Sequence, residues 1–171
     1  MIKKIFQNLL KRSGKQYTID PDLPGGLIYG TLISRFTMLV RGVLFLRKKV
    51  YLGAHCSISN KRNIVFGQNT TIEHHTVIDG YAKHKVQLGN NCKIGAYSLV
   101  TCTSHFSKYG IGLKMGNNSA VGRFTEFGAA GGIEIGNDVI MGSYVSFHSE
   151  NHNFTDTTKL IREQGVTSKG I

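Results

Sequence analysis

A chain of 171 residues has the length of one domain, and 40% hydrophobic residues with 21 Gly but only 2 Pro exclude disorder and point to a soluble fold with many tight turns. The three cysteines, Cys56, Cys92 and Cys102, are odd in number and form no C-x-x-C pair, which argues against a disulfide framework or a cysteine metal knuckle and for a reducing compartment. The formal charge of +11 is uneven: residues 1 to 50 hold ten Lys or Arg against Asp20 and Asp22, a net +8. That segment reads either as solvated basic helices or as a surface for an anionic membrane or acidic polymer. No aromatic-and-basic recognition motif accompanies the charge, so nucleic acid is not expected.

The first element, in "MIKKIFQNLLKRSGK", is predicted as an amphipathic helix with Ile2, Ile5, Phe6, Leu9 and Leu10 on one face and Gly14 as its stop. The second, "LIYGTLISRFTMLVRGVLFLRKK", is apolar enough to imitate a membrane span. Arg35 and Arg41 speak against spanning, because each costs about 2.5–3.5 kcal/mol near a bilayer centre. The segment lies too far from the N-terminus, and lacks a small-residue cleavage site, for a signal peptide. It is expected to pack on the main domain or to lie at a membrane surface with its arginines snorkelling. Residues 1–50 thus form a basic helical segment before a domain over 51–171.

From Tyr51 the chain keeps a beat of six: "LGAHCS", "FGQNTT", "IEHHTV", "LGNNCK", "IGAYSL", "MGNNSA", "VGRFTE", "IGNDVI", "MGSYVS". Fourteen steps open with an apolar residue: Leu52, Ile58, Phe66, Ile72, Ile78, Leu88, Ile94, Val100, Met115, Val121, Phe127, Ile135, Met141 and Phe147. Nine of them carry Gly next, and the fifth place is mostly small, as at Cys56, Thr70, Thr76, Cys92, Ser98, Ser119 and Thr125. A period of six fits neither a helix nor a hairpin, and it marks a repeat. Each unit is expected to be a short strand and a corner. Its large residue fills the interior, its small one lets the corner close, and Gly or Asn relaxes the backbone. Three units make a triangular coil, and stacked coils pair their strands in parallel roughly 4.8 Å apart. Coil starts at Phe66, Leu88, Met115 and Ile135 are 22, 27 and 20 residues apart. The excess over eighteen must leave as loops after the third side, the longest beginning after Phe147.

These repeats resemble the hexapeptide-repeat acyltransferases, an all-β family built on a left-handed parallel β-helix. "AAGGIEIGNDVIMG", "HSENHNF" and "REQGVTSKGI" are similar to its sugar and polysaccharide O-acetyltransferase branch, alongside the capsular, exopolysaccharide, maltose and galactoside acetyltransferases. The resemblance implies acetyl-CoA as cosubstrate, a sugar or polysaccharide acceptor and a homotrimer; no metal is expected, and the cysteine usage with the basic N-terminus points to a cytoplasmic protein, peripheral on the inner face of the cell membrane where that segment attaches. It places a histidine general base on the loop leaving a late coil, here His152. A neutral imidazole suits that task because it titrates near neutrality. Glu150, Asn151 or a backbone carbonyl would orient the ring, and His105 would shape the acceptor pocket or serve as an ordinary loop residue. His148, next to an inward Phe147, points out from the wall, and His55, His74, His75 and His84 read as surface positions. In the family, further coils beginning "I-x-I-G" follow, and these are expected to hold most acetyl-CoA contacts. The chain stops at Ile171, where that strand would start, and so reads as a fragment or truncated product. Two other readings use the same fold. One is a metal-dependent hydratase of the gamma carbonic anhydrase type with His105, His148 and His152 as ligands, since imidazole suits zinc. The other is a catalytically inactive β-helix scaffold.

Overall fold

The computed structural model describes residues 2–12 and 17–171. Two helices precede the repeats: α1 (Ile2–Arg12) and α2 (Gly25–Arg41), the latter running on through a π-helical stretch, Gly42–Leu46. In α1, Leu10 is buried and Ile2 and Phe6 half-buried, whereas Ile5 and Leu9 of the same apolar face stay exposed. Gly14, its expected stop, lies outside the described residues. The π-helical stretch ends at Arg47, in the left-handed conformation with φ 53°. A Cβ on Gly42 would lie 1.9 Å from the Val50 carbonyl oxygen, so only glycine lets the chain fold back here.

The α2 helix packs against both α1 and the first coil, and its Ile28 and Met38 are buried. The Arg35 guanidinium donates to Thr71 Oγ1 at 3.0 Å and stands 5.2 Å from the centre of the Tyr51 ring. Arg41 donates to the Leu52 carbonyl at 3.4 Å. The two arginines that argue against a membrane span are therefore the ones that hold α2 to the solenoid.

From Tyr51 the chain winds as stacked coils, a β-solenoid of about four turns with three parallel sheets, consistent with a left-handed β-helix. One sheet stacks β1 (Tyr51–Leu52), β4 (Thr71–Ile72), β7 (Lys93–Ile94), β10 (Ala120–Val121) and β13 (Ile140–Met141). The second stacks β2 (Ser57–Ser59), β5 (Val77–Asp79), β8 (Leu99–Thr101), β11 (Glu126–Gly128) and β14 (Ser146–His148). The third stacks β3 (Ile64–Phe66), β6 (Val86–Leu88), β9 (Leu113–Met115) and β12 (Ile133–Ile135). Register follows the beat: Ile72 pairs with Ile94, Ile94 with Val121, and Phe127 with both Val100 and Phe147.

Eleven of the fourteen step-opening residues are buried; Ile58, Met141 and Phe147 are partly covered and pack against the same core. Those exceptions lie in the first and last coils, where a coil has a neighbour on one side only. The fifth-place residues do more than let the corner close. Thr70 donates to the Gly89 carbonyl at 2.6 Å, Thr76 to Gly95 at 3.2 Å, Cys92 to Gly116 at 2.8 Å and Ser119 to Gly136 at 2.8 Å. Each ties its coil to the next, and each satisfies a polar group in a dry interior.

Of the two residues expected to relax the corners, asparagine does so and the second-place glycines do not. The positive φ sits at the fourth place, on Asn69, Asn91, Asn118 and Asp138 along one corner and on His55, His75, Tyr97, Phe124 and Tyr144 along another. The first column is linked by side-chain hydrogen bonds of 3.3, 3.1 and 2.9 Å between successive members. The second is a stack of rings with centroids 4.8 to 5.1 Å apart. The second-place glycines answer to crowding instead: a Cβ on Gly95 would come within 2.2 Å of the Gly122 carbonyl oxygen.

The excess residues leave between the second and third sheets, at 60–63, 80–85, 102–112 and 129–132. After β14 the chain departs altogether. It forms an antiparallel hairpin of β15 (Glu150–His152) and β16 (Val166–Ser168), then returns to the third sheet, where Ile171 bonds to Gly132 and Glu134.

Candidate active site

The cavity that gathers the chemistry forms where two long excursions flank a short one. Loop 102–112 rises from one coil and the 150–168 hairpin hangs from the coil two above. Between them the chain contributes only "GAAGG", Gly128–Gly132, so nothing fills the gap. Close approach demands small residues here: a Cβ on Gly131 would lie 2.1 Å from the Ser149 carbonyl oxygen. The resulting cavity of about 730 Å³ has Gly128 and Ala130 in its floor. His105, Lys108, His148, Glu150, His152 and Arg162 line its walls. That volume is in the range of small-molecule sites.

The hairpin is held from both ends. At its root the buried Ser149 hydroxyl donates to the Gly128 carbonyl at 2.6 Å and accepts from the Gly131 N–H at 2.8 Å. At its tip the Gln164 amide donates to the carbonyls of Asp156 (2.8 Å) and Lys159 (3.0 Å), while Asn153 donates to the Gln164 carbonyl at 2.9 Å. Gly165, at φ 75°, makes the turn back into β16.

Glu150 joins the two excursions. Its carboxylate accepts from Ser168 at 2.6 Å and Ser104 at 2.9 Å, with the Lys108 ammonium 3.5 Å away; Lys108 also donates to Ser168. Burial alone would raise the carboxyl's pKa, but the two hydroxyl donors and the lysine outweigh it and hold Glu150 below the ordinary carboxylate value. The carboxylate is thus committed to loop 102–112 and β16 rather than to the His152 ring.

The structure brings His105, Glu150 and His152 to one cavity and leaves Asn151 out of its lining. Neighbours on a strand face opposite ways, so Asn151 turns from the side that Glu150 and His152 share. His148 reaches the same cavity from the wall, its Nε2 2.8 Å from Ser146 Oγ. His105 Nδ1 lies 2.7 Å from Ser107 Oγ and accepts from the Ser107 N–H at 3.1 Å. Among the described residues no hydrogen bond reaches the His152 ring, which is exposed to the cavity. No three His, Cys, Asp or Glu side chains among the described residues form a group that could hold a metal ion.

None of the three cysteines is placed as a nucleophile. Burial pushes the Cys56 and Cys92 thiols up, and burial with the Asp79 carboxylate nearby drives Cys102 to about 12. Ser104, Lys108 and Ser168, which fix Glu150, carried no signal of their own in the sequence. The one available signal was register: the 27-residue coil spacing places loop 102–112 at the corner from which the longest excursion leaves. Of the other histidines, His55 and His75 stand in the stacked column, and His74 Nδ1 accepts from the Ala54 N–H at 3.0 Å. Compared with models of protein families, with curated proteins and with solved structures, the chain finds no match.

Proposed function

We propose that the protein is an acetyl-CoA-dependent O-acetyltransferase that acylates a sugar hydroxyl of a glycan or polysaccharide precursor, with His152 as general base. The observation that carries this reading is the free imidazole of His152 in a cavity of about 730 Å³, beside a carboxylate already committed to holding the walls. His105 and His148 face the same space, but their rings contact Ser107 and Ser146. His152 takes the proton of the acceptor hydroxyl as that oxygen attacks the thioester carbonyl. A backbone N–H holds the oxyanion of the tetrahedral intermediate. As the carbon–sulfur bond breaks, the imidazolium returns its proton to the departing CoA sulfur, so the ring ends as it began. No covalent enzyme intermediate is needed, which suits a chain whose thiols are held protonated. The fold and the sequence resemblance extend the proposal to a homotrimer, with sites in the grooves between neighbours.

The test uses the full chain with acetyl-CoA and a panel of sugar acceptors, following release of the CoA thiol. His152→Ala should lose about 10²–10⁴ in rate while keeping acetyl-CoA binding and its melting temperature, and His148→Ala should keep most activity. Exchange of these two behaviours overturns the assignment of the base. Loss of a bound metal together with activity in both variants would make the protein a metal-dependent hydratase. A stable trimer that binds no CoA would make it a non-enzymatic scaffold.

A further inference from the structure

The end of the molecule remote from the cavity carries a feature that acyl transfer does not use. Ile33, Phe36 and Leu44 are 64, 67 and 70% exposed, and Tyr29 and Val40 are exposed with them. Their spacing of 4, 3, 4 and 4 residues puts them along one side of α2 and its π-helical extension, away from the side on which Ile28 and Met38 are buried and Arg35 reaches the solenoid. An amphipathic helix normally has one apolar face; this one has two, and one is covered. The stripe ends in a basic cluster. Arg47, Lys48 and Lys49 follow it, and Lys61 and Arg62 come alongside from the first coil, where the Lys61 ammonium donates to the Phe45 carbonyl at 3.4 Å. All five are exposed, and between Asp22 and Glu73 the chain has no acidic residue at all. A cleft of about 220 Å³ opens between the two features, with Arg41 and Lys61 at its edge and Leu46 and Ile58 in its lining.

We infer that this face docks on the surface of an anionic lipid bilayer, with α2 lying in the interface plane. An apolar stripe enters the acyl boundary while cations beside it meet headgroup phosphates. Spanning is a different matter. The stretch Gly25–Leu46 is long and apolar enough to cross a membrane, but its other face is bound to the first coil through Arg35 and Arg41, so the helix lies flat against the solenoid. A second copy of the chain is the less suitable occupant, because it would bring another acid-free cluster of cations against this one, whereas an anionic plane neutralises them.

The experiment is flotation of the full chain with vesicles of phosphatidylcholine, with and without phosphatidylglycerol. Binding should require the anionic lipid and fall with added salt as screening shortens the reach of the cations. Each lysine near the surface contributes about fivefold, so Lys48→Glu with Lys49→Glu should lower partitioning by more than about tenfold. These side chains are exposed and outside the helix, so the variant keeps its melting temperature. Phe36→Ser with Leu44→Ser should do the same through the apolar stripe. No flotation, or flotation indifferent to phosphatidylglycerol, overturns the inference. So do variants that float unchanged while sedimentation shows them dissociating an oligomer; the face would then be an interface between copies.

Discussion

His74 and His152 are the same residue in two regions that use it oppositely. In the wall of the solenoid, His74 accepts a backbone N–H and is spent on shape. In the hairpin, the His152 ring receives no hydrogen bond from the described residues and faces a cavity. The pattern extends to other polar residues. Thr70, Thr76, Ser98, Ser119 and Thr125 are all buried in the wall, whereas Ser104 and Ser168 outside it fix a carboxylate between two excursions. A repeated coil meets an identical neighbour at every turn, so each polar group has a partner waiting at the same offset. An excursion has no such neighbour, and its polar groups are satisfied by singular contacts or left for a ligand. Substitutions in the wall should therefore change stability and leave the chemistry alone; those around the cavity should do the reverse.

The sharpest break comes from a charge in the wall. Ile94 is fully buried with coils above and below, and Ile94→Asp strands an unpaired carboxylate at a cost of about 3–5 kcal/mol or more. No folded soluble protein is expected by circular dichroism. Ile135, 8% exposed and nearer the last coil, should tolerate aspartate better, as a lowered melting temperature in a protein that still folds. Equal behaviour of the two would mean that coil position does not matter.

Glycine offers a paired test of crowding. Gly95→Ala places a methyl 2.2 Å from the Gly122 carbonyl oxygen and should cost about 2 kcal/mol or more. Gly142 holds the same step position but meets nothing within 4 Å, so Gly142→Ala should stay within about 0.5 kcal/mol of the parent. Denaturant midpoints read both. A smaller effect is expected from Thr76→Val, which removes hydrogen bonds of 2.8 and 3.2 Å to the Glu73 and Gly95 carbonyls while keeping the volume. It should cost about 1 kcal/mol and leave the proposed acetyl transfer unchanged.

The mildest effect on stability belongs to the cavity. The Glu150 carboxyl is held below its ordinary value in the fold. Its contribution is therefore present above the unfolded pKa and lost as pH falls through the lower, folded value, a window below about pH 4. Glu150→Gln should melt close to the parent in that acidic range and somewhat below it at neutral pH. At neutral pH it should also loosen loop 102–112, seen as faster amide exchange there than in the wall.

The solenoid was legible because a period of six leaves a mark at every turn. Fourteen apolar openings, the loops between the second and third sheets and the start at Tyr51 all follow from counting. The reason for the glycines was misplaced, since crowding between coils arises only when the next coil is in position. The fourth-place column of His55, His75, Tyr97, Phe124 and Tyr144 was missed for a related reason: rings about twenty residues apart become neighbours only by stacking.

For the cavity, the sequence by itself determined that a polar excursion bearing His152 leaves after Phe147, because the repeat stops there and a loop must begin. It also determined that His148, one residue past an inward side chain, projects from the wall, since strand alternation is a local rule. Only the tertiary structure decided that Glu150 bonds to Ser104 and Ser168 instead of His152, and that Asn151 takes no part in the cavity. Those outcomes depend on which loops of separate coils meet across the short Gly128–Gly132 turn, and no local pattern encodes a contact between residues 46 positions apart.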